Sequence, residues 1–392
     1  MWRRWTVRCS DDGAVGARVR VLLLSAYDAP SQRYWREGLA SHLPDVNFTQ
    51  LALPPRYFSW RIRGNSLSWA WSQRELLQRD YQLLVATSTV DLSALRGFVP
   101  ALAALPTLIY CHENQFAYPT SGREHHSLEP RVVNLYSALC ADRVVFNSGW
   151  NRDSFLAGAA ELLRRLPDQV PPGLVAQLAG RSEVLPVPLE PAPPPQARRG
   201  LPLEVVWNHR WEYDKGPQAL LALVRQSVQR GLPLRFHIVG QQFRRAPAEF
   251  EALRALLAAH PHHAGQWGSI ARREDYLALL ERAHVVISTA RHEFQGLAVM
   301  EAALRGCLPL VPDRLSYREY FDAACRYPST PDQPEREALA MVQRLQALAA
   351  SWPAAAGAAA AAMRRCTWPA LAPGYRALLA SCAAAHLPSP RQ

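Results

Sequence analysis

The chain has 392 residues, 49% of them hydrophobic and 20% charged, with a formal net charge of +11. That length gives two domains as the natural expectation, and the composition excludes a disordered, collagenous or disulfide-framed chain. No apolar run reaches the roughly 18 residues that a membrane-crossing helix needs, so no transmembrane segment is expected.

The basic residues are skewed: of 44, all but Lys215 are arginine. A lysine that survives where arginine is the rule either marks a place where a compact ammonium is needed rather than a planar fork, or survives by chance. The seven cysteines (9, 111, 140, 307, 325, 366 and 382) are odd in number and form no Cys-x-x-Cys pair. They argue for a reducing compartment, hence a cytoplasmic protein, and against a structural metal site. Residues 1–18 hold no apolar core of about seven residues and read as a disordered leader, not a signal peptide.

In chain order, Val19–Ser25 is a continuous apolar run of strand length, followed by helical material over Ser31–His42. Strand runs recur at Gln82–Ala86, Thr107–Cys111, Arg143–Phe146 and Glu183–Val187. Such runs, separated by longer periodic segments, imply a parallel sheet covered on both faces. A proline-rich stretch over 189–202 reads as a stiff linker. The alternation then restarts: strands at Glu204–Asn208, Leu234–Val239, Val285–Ser288 and Leu308–Val311, and helices at Pro217–Arg230, Ala248–Ala259, Asp275–Arg282 and Leu297–Arg305. The expected architecture is α/β, with Rossmann-like doubly wound domains over 19–188 and 203–330 facing across a cleft. An Ala-rich helical segment, 331–392, packs back on them.

Two segments of the second half carry charge suited to a sugar nucleotide. In Ser288–Glu301 a strand runs into a loop holding Glu293, and Gly296 then opens a helix. The free N–H groups around Gly296 and Leu297 suit a phosphate, and Glu301, about one turn in, suits a pair of sugar hydroxyls. In Trp207–Gly216, Arg210 and the sole lysine, Lys215, lie between strand and helix, where two cations can grip a diphosphate. The bland alternatives are helix-surface glutamates and solvated loop cations; flanking apolar core and the placement of Lys215 weigh against them.

This set resembles the donor site of retaining GT-B glycosyltransferases of glycosyltransferase family 4. The resemblance implies that Arg210 and Lys215 bind the donor diphosphate, that Glu301 holds the ribose and that Glu293 lies near the donor sugar. In the first half, Ser25–Trp35, Arg61-Ile-Arg-Gly-Asn65, Tyr110–Pro119 and Phe146-Asn-Ser-Gly-Trp150 narrow the likeness. Together with the second half they resemble the tRNA-queuosine alpha-mannosyltransferase family over about residues 19–325. That family implies mannose transfer from GDP-mannose to the queuosine of a tRNA anticodon, with tRNA and a nucleotide sugar as partners and no cofactor or metal. Gln32 departs from the histidine expected there, and the glycine pair usual in the first GT-B loop is absent.

The residues of the first half suit an RNA acceptor on their own chemistry. Between Leu51 and Arg74 lie Arg56, Arg61, Arg63 and Arg74, no acidic residue, and five aromatics: Tyr57, Phe58, Trp60, Trp69 and Trp71. Cations for phosphates and flat rings for bases are what a single-stranded loop needs; a half-buried aromatic edge is the alternative. His112, Glu113 and Asn114 end a strand, where His112 can reach the donor sugar or the reacting oxygens and Glu113 can orient the acceptor hydroxyl; a purely structural histidine is the alternative. Asn65, Asn114, Asn147 and Asn208, four of only seven asparagines, are all expected in the loops of these segments, which points Arg61, Arg63, Asn65, Asn114 and Asn147 toward the acceptor. A lipid or polysaccharide acceptor, a catalytically dead RNA-binding module and a sugar-nucleotide epimerase are the competing readings.

Overall fold

The computed structural model describes residues 18–118, 128–196, 198, 200–243 and 245–384, with the backbone alone over 348–353. Residues 1–17 of the expected leader, Pro119 and the end of the Ala-rich segment lie outside the described residues. The chain divides into two compact units, residues 1–188 with 371–392, and residues 189–370.

The first unit is built on six strands: β1 (Val19–Ser25), β2 (Val46–Ala52), β3 (Leu83–Thr87), β4 (Thr107–Cys111), β5 (Arg143–Phe146) and β6 (Ser182–Val184). Their order is β2-β1-β3-β4-β5-β6, and every pairing is parallel. Every residue of β3 and β4 is buried, because helices cover both faces of the sheet; apolar runs of this kind are legible as strands. β2 lies at the edge with most of its residues only half-buried, so it lacks such a run and the sequence reading passed over it. The helix Phe58–Ser72 was also missed. It buries Ile62, Asn65, Ser66, Trp69 and Ala70 on one side, but carries aromatic residues on the other too, which blurs its apolar period.

The second unit has β7 (Leu203–Trp207), β8 (Leu234–Val239), β9 (Ala264–Gly268), β10 (Val285–Ile287), β11 (Leu308–Pro312) and β12 (Arg326–Tyr327). The order is β12-β11-β10-β7-β8-β9, again parallel throughout. β9, with two glycines and Gln266 in five residues, gives no apolar run to read. The chain reverses its direction of travel across the sheet between β1 and β3 in the first unit, and between β7 and β10 in the second. In open α/β sheets the crevice outside the carboxyl ends of the strands, at such a reversal, is where ligands bind.

The proline-rich stretch packs with the second unit rather than standing free. Arg198 donates to the carbonyls of Leu280 and Arg305 at 2.9 and 2.6 Å. Leu189 N donates to Cys366 O at 2.7 Å, and Trp368 N returns to Leu189 O at 2.9 Å. Helix Pro334–Met363 lies on the helix Pro217–Gln229, within this unit. The last helix, Trp368–Ala384, starts here and ends in the first unit. There Tyr375 is buried: its hydroxyl accepts from Trp35 Nε1 at 3.1 Å and lies 3.1 Å from the Tyr110 hydroxyl and 3.0 Å from the Pro186 carbonyl.

Candidate active site

In the second unit the loops after β7 and β10 are laced together by backbone. Gly216 has φ 65°, and a Cβ there would lie 2.1 Å from the Thr289 carbonyl oxygen, so only glycine admits this approach. Thr289 Oγ1 accepts from Trp207 Nε1 at 2.9 Å and donates to Lys215 O at 2.7 Å. Arg291 N and His292 N both donate to Asp214 O, at 2.8 and 3.2 Å.

This lacing turns Lys215 inward. Its side chain is 7% exposed, and Nζ lies 2.9 Å from His292 O, 3.0 Å from Asp214 Oδ2 and 3.2 Å from Glu293 Oε2. Burial opposes both charges, yet the pairing prevails: the Lys215 ammonium is held above its ordinary range and the Glu293 carboxyl is pushed down to about 2. Neighbouring His209 and His292 are each lowered to about 4, by burial first and by the Lys215 charge second. His209 Nε2 and Asn208 Oδ1 are buried with no hydrogen-bond partner among the described residues, an acceptor-or-donor and an acceptor left for a ligand.

Gly296, at φ 87°, turns the chain into helix Leu297–Leu304; a Cβ there would meet the Tyr317 ring at 2.7 Å. No side chain caps this helix, which leaves its first-turn N–H groups facing any acceptor brought to them. Arg210 is half-exposed and pairs with Glu212 at 3.0 Å. Glu301 pairs with Arg273, whose guanidinium also lies 5.2 Å from the Tyr276 ring centroid. The Tyr276 hydroxyl in turn accepts from Asn208 at 2.8 Å. The second unit thus brings together Lys215, Glu293, Gly296, Leu297 and Glu301 with Asp214, His209, Tyr276 and Arg273. The last four were not singled out in the sequence, and nothing local to Arg273 announces it.

In the first unit, His112 follows β4 and is 7% exposed, wedged edge-on against Trp35 and Tyr110 at 4.9 and 4.7 Å between ring centroids. Neither ring nitrogen has a hydrogen-bond partner among the described residues, and burial lowers its pKa to about 3. It is therefore a neutral imidazole with both nitrogens available. Glu113 is half-buried, and its carbonyl accepts from Ser88 Oγ at 3.0 Å.

Three asparagines expected at the acceptor serve the scaffold instead. Asn65 lies inside helix Phe58–Ser72, not in a loop. It donates to the carbonyls of Arg61 and Ile62, and its oxygen accepts from Asp91 N at 3.1 Å. Asn114 accepts from Phe116 N and Ala117 N and donates to Asn151 Oδ1 and Ser154 Oγ, which fixes the turn after His112. Asn147 donates to His112 O at 2.9 Å and accepts from Asn151 at 2.8 Å. Buried amides with both ends satisfied position a loop rather than bind a substrate. The same rarity of asparagine extends to Asn134 and Asn151, which complete this network and were overlooked. Arg63 is tied to Asp91 and Glu129 at 2.8 and 3.1 Å, whereas Arg61 pairs with no carboxylate among the described residues.

Both halves of the chain match known families. Residues 20–189 match the family model for the tRNA-queuosine alpha-mannosyltransferase N-terminal region, and residues 196–339 that for glycosyl transferases group 1. The tRNA-queuosine alpha-mannosyltransferase of Drosophila melanogaster is 31% identical over 318 residues, covering 78% of this chain and 82% of that protein. The chain belongs to the tRNA-queuosine alpha-mannosyltransferase family. Its two parallel sheets have the GT-B fold of solved glycosyltransferases. Sucrose-phosphate synthase from Thermosynechococcus elongatus superposes with TM-score 0.66 at 16% identity, over 93% of this chain and all of that one. Anabaena HepE, solved with UDP and glucose, gives 0.64 at 14%, over 93% and all of its chain. Membership makes the chain a glycosyltransferase with its group 1 domain in the second unit. Among the described residues no helix is long and apolar enough to cross a membrane.

Proposed function

We propose that the chain transfers mannose, with retention, from GDP-mannose to the queuosine nucleoside of a tRNA anticodon. The observation that carries this reading is the buried Lys215–Glu293 pair at the reversal point of the second sheet, in a chain of this family. A charged lysine there, with Arg210 beside it, offsets the negative charge that builds on the diphosphate as the sugar–phosphate bond breaks. The acceptor hydroxyl bonds to the anomeric carbon on the side the phosphate leaves, and its proton passes to a phosphate oxygen. No protein base and no metal or cofactor is assigned to the step.

Glu293, ionised down to about pH 2, is suited to accept sugar hydroxyls and to hold Lys215, not to donate a proton. Neutral His112 supplies a hydrogen bond without a charge. First-turn N–H groups at Gly296 and Leu297 and the Glu301 carboxylate suit phosphate and ribose. The six cysteines among the described residues are free, five of them buried, which supports a cytoplasmic setting. Mass analysis of nucleosides from queuosine-containing tRNA incubated with the protein and GDP-mannose tests the reading. A hexose added to queuosine is expected; no added hexose, with transfer to some other acceptor, refutes it.

A further inference from the structure

The solvent side of helix Phe58–Ser72 is unlike an ordinary helix surface. Its buried side is already packed into the first unit through Ile62, Asn65, Ser66, Trp69 and Ala70. Tyr57, Trp60, Leu67 and Trp71 are all exposed, at 72%, 55%, 45% and 64%. With Gly64 they fall at intervals of three and four residues, one stripe about 21 Å long at 1.5 Å per residue.

The rings of this stripe are held. The Trp60 indole lies flat over Gly64: a Cβ at 64 would come within 2.3–2.7 Å of three ring atoms. One face of the indole thus rests on backbone and the other is open. Trp71 packs edge-on against Phe98 at 5.2 Å, and Arg74 donates to the Phe98 carbonyl at 3.3 Å. Tyr57 sits in the left-handed region, φ 56°, a conformation that a bulky residue rarely adopts. The Arg56 guanidinium lies 5.7 Å from its ring centroid.

Of the four arginines between Leu51 and Arg74, Arg63 is paired with Asp91 and Glu129, and the other three, Arg56, Arg61 and Arg74, lack a carboxylate partner among the described residues. The Arg56 charge, after burial, helps to lower the pKa of Arg61. Separate flat rings alternating with unpaired guanidinium groups match a polyanion that presents bases. A membrane-surface helix also uses Trp and Leu, but as one apolar face with its cations on the opposite one, whereas here Arg56 and Arg61 directly adjoin Tyr57 and Trp60.

We propose that this stripe is a stacking platform for unpaired bases of an RNA loop, with Trp60, backed by Gly64, as its fixed plate and Arg56, Arg61 and Arg74 on the phosphates. The proposal rests on the tRNA reading above and adds the surface that grips the loop. Gly64→Ala is the discriminating variant, since it keeps every ring and charge, favours the helix, and lifts the indole off its seat. Binding of a fluorescent RNA stem-loop to the full chain, by anisotropy at fixed salt, is the readout, beside a thermal melt and sedimentation with phosphatidylglycerol vesicles. Gly64→Ala and Trp60→Ala are each expected to weaken stem-loop binding about tenfold, in the range of losing one stacked base, with the melting temperature of Gly64→Ala undiminished. Unchanged affinity in both variants overturns the platform while leaving the tRNA reading in place. A wild-type chain that binds no stem-loop overturns that reading itself. Vesicle binding lost in Trp60→Ala while RNA binding persists makes the stripe a membrane surface and overturns the proposal.

Discussion

Lys215 Nζ stands 3.2 Å from Glu293 Oε2 and 3.0 Å from Asp214 Oδ2, so the only lysine of the chain is buried between two carboxylates. An arginine fork would not fit the point where Nζ meets two carboxylates and the His292 carbonyl together. The ammonium neutralises a site that would otherwise concentrate negative charge just where a diphosphate must come.

Removing one member of this group has a calculable cost. Lys215→Ala leaves buried Asp214 and half-buried Glu293 without their cation and is expected to destabilise the fold by about 3–5 kcal/mol, while Lys215→Met with Glu293→Gln recovers part of that loss but no transfer activity. The pH dependence should reverse as well. With its carboxyl held at about 2 instead of 4.5, the wild type has the full contribution of Glu293 above pH 4.5 and loses it as pH falls toward 2. In Lys215→Ala, burial is the largest influence left on that carboxyl, opposed only by His209 and His292, so mild acid should stabilise the variant relative to neutral pH. Thermal melts from pH 4 to 8 compare the two; parallel curves would sink the pairing as an energetic unit.

Arg273 covers the carboxylate assigned to the ribose, and a bound nucleotide must displace it. The pair is partly solvated, with the Arg273 side chain 56% exposed, so its intrinsic worth is about 0–1 kcal/mol. Arg273→Ala is expected to tighten GDP binding up to about fivefold, and Glu301→Ala to weaken it by roughly tenfold or more, as for loss of hydrogen bonds to a charged group. Isothermal titration with GDP decides the matter. Weaker binding in Arg273→Ala would show that the arginine itself holds the nucleotide.

His112 makes the first unit acid-sensitive. Its pKa falls to about 3 from an ordinary 6.5, so the unfolded chain takes up a proton below 6.5 that the folded chain refuses. The stability it contributes is complete above pH 6.5 and is lost progressively as pH falls toward 3. His112→Phe, which keeps a ring against Trp35 and Tyr110, should flatten the decline by about 1.4 kcal/mol per pH unit over that range. The remaining slope belongs in part to His209 and His292. Urea midpoints at pH 7 and 5 for both proteins are the check, and equal slopes would remove His112 from the account.

Much of the fold is legible because buried parallel strands leave continuous apolar runs, as β1, β4, β8 and β10 do. β2 and β9 escaped because an edge strand need bury only part of itself, and glycines carry no pattern. The residues proposed for the donor, Lys215, Glu293 and Glu301, could be named since each lies in the loop that follows a strand or one turn into the next helix, where spacing and position coincide. Arg273 could not, because it comes to Glu301 from another helix 28 residues away. The asparagines misled for a related reason. Their rarity marked a special neighbourhood, but only the contacts show that it is the framework behind His112 rather than the surface in front of it.

The first unit contains Trp35 and Tyr110 near its start and Tyr375 near the end of the chain, with the whole second unit encoded between them. During synthesis at about 5–20 residues per second, some 180 residues must emerge before Tyr375 does, a wait on the order of 10–40 s. Over that interval the nascent first unit lacks the hydroxyl that meets Trp35 and the ring that backs Tyr110, the two side chains His112 leans on. A ribosome that stops early therefore releases an unfinished first unit, and a deletion that removes Tyr375 acts on the first half of the protein.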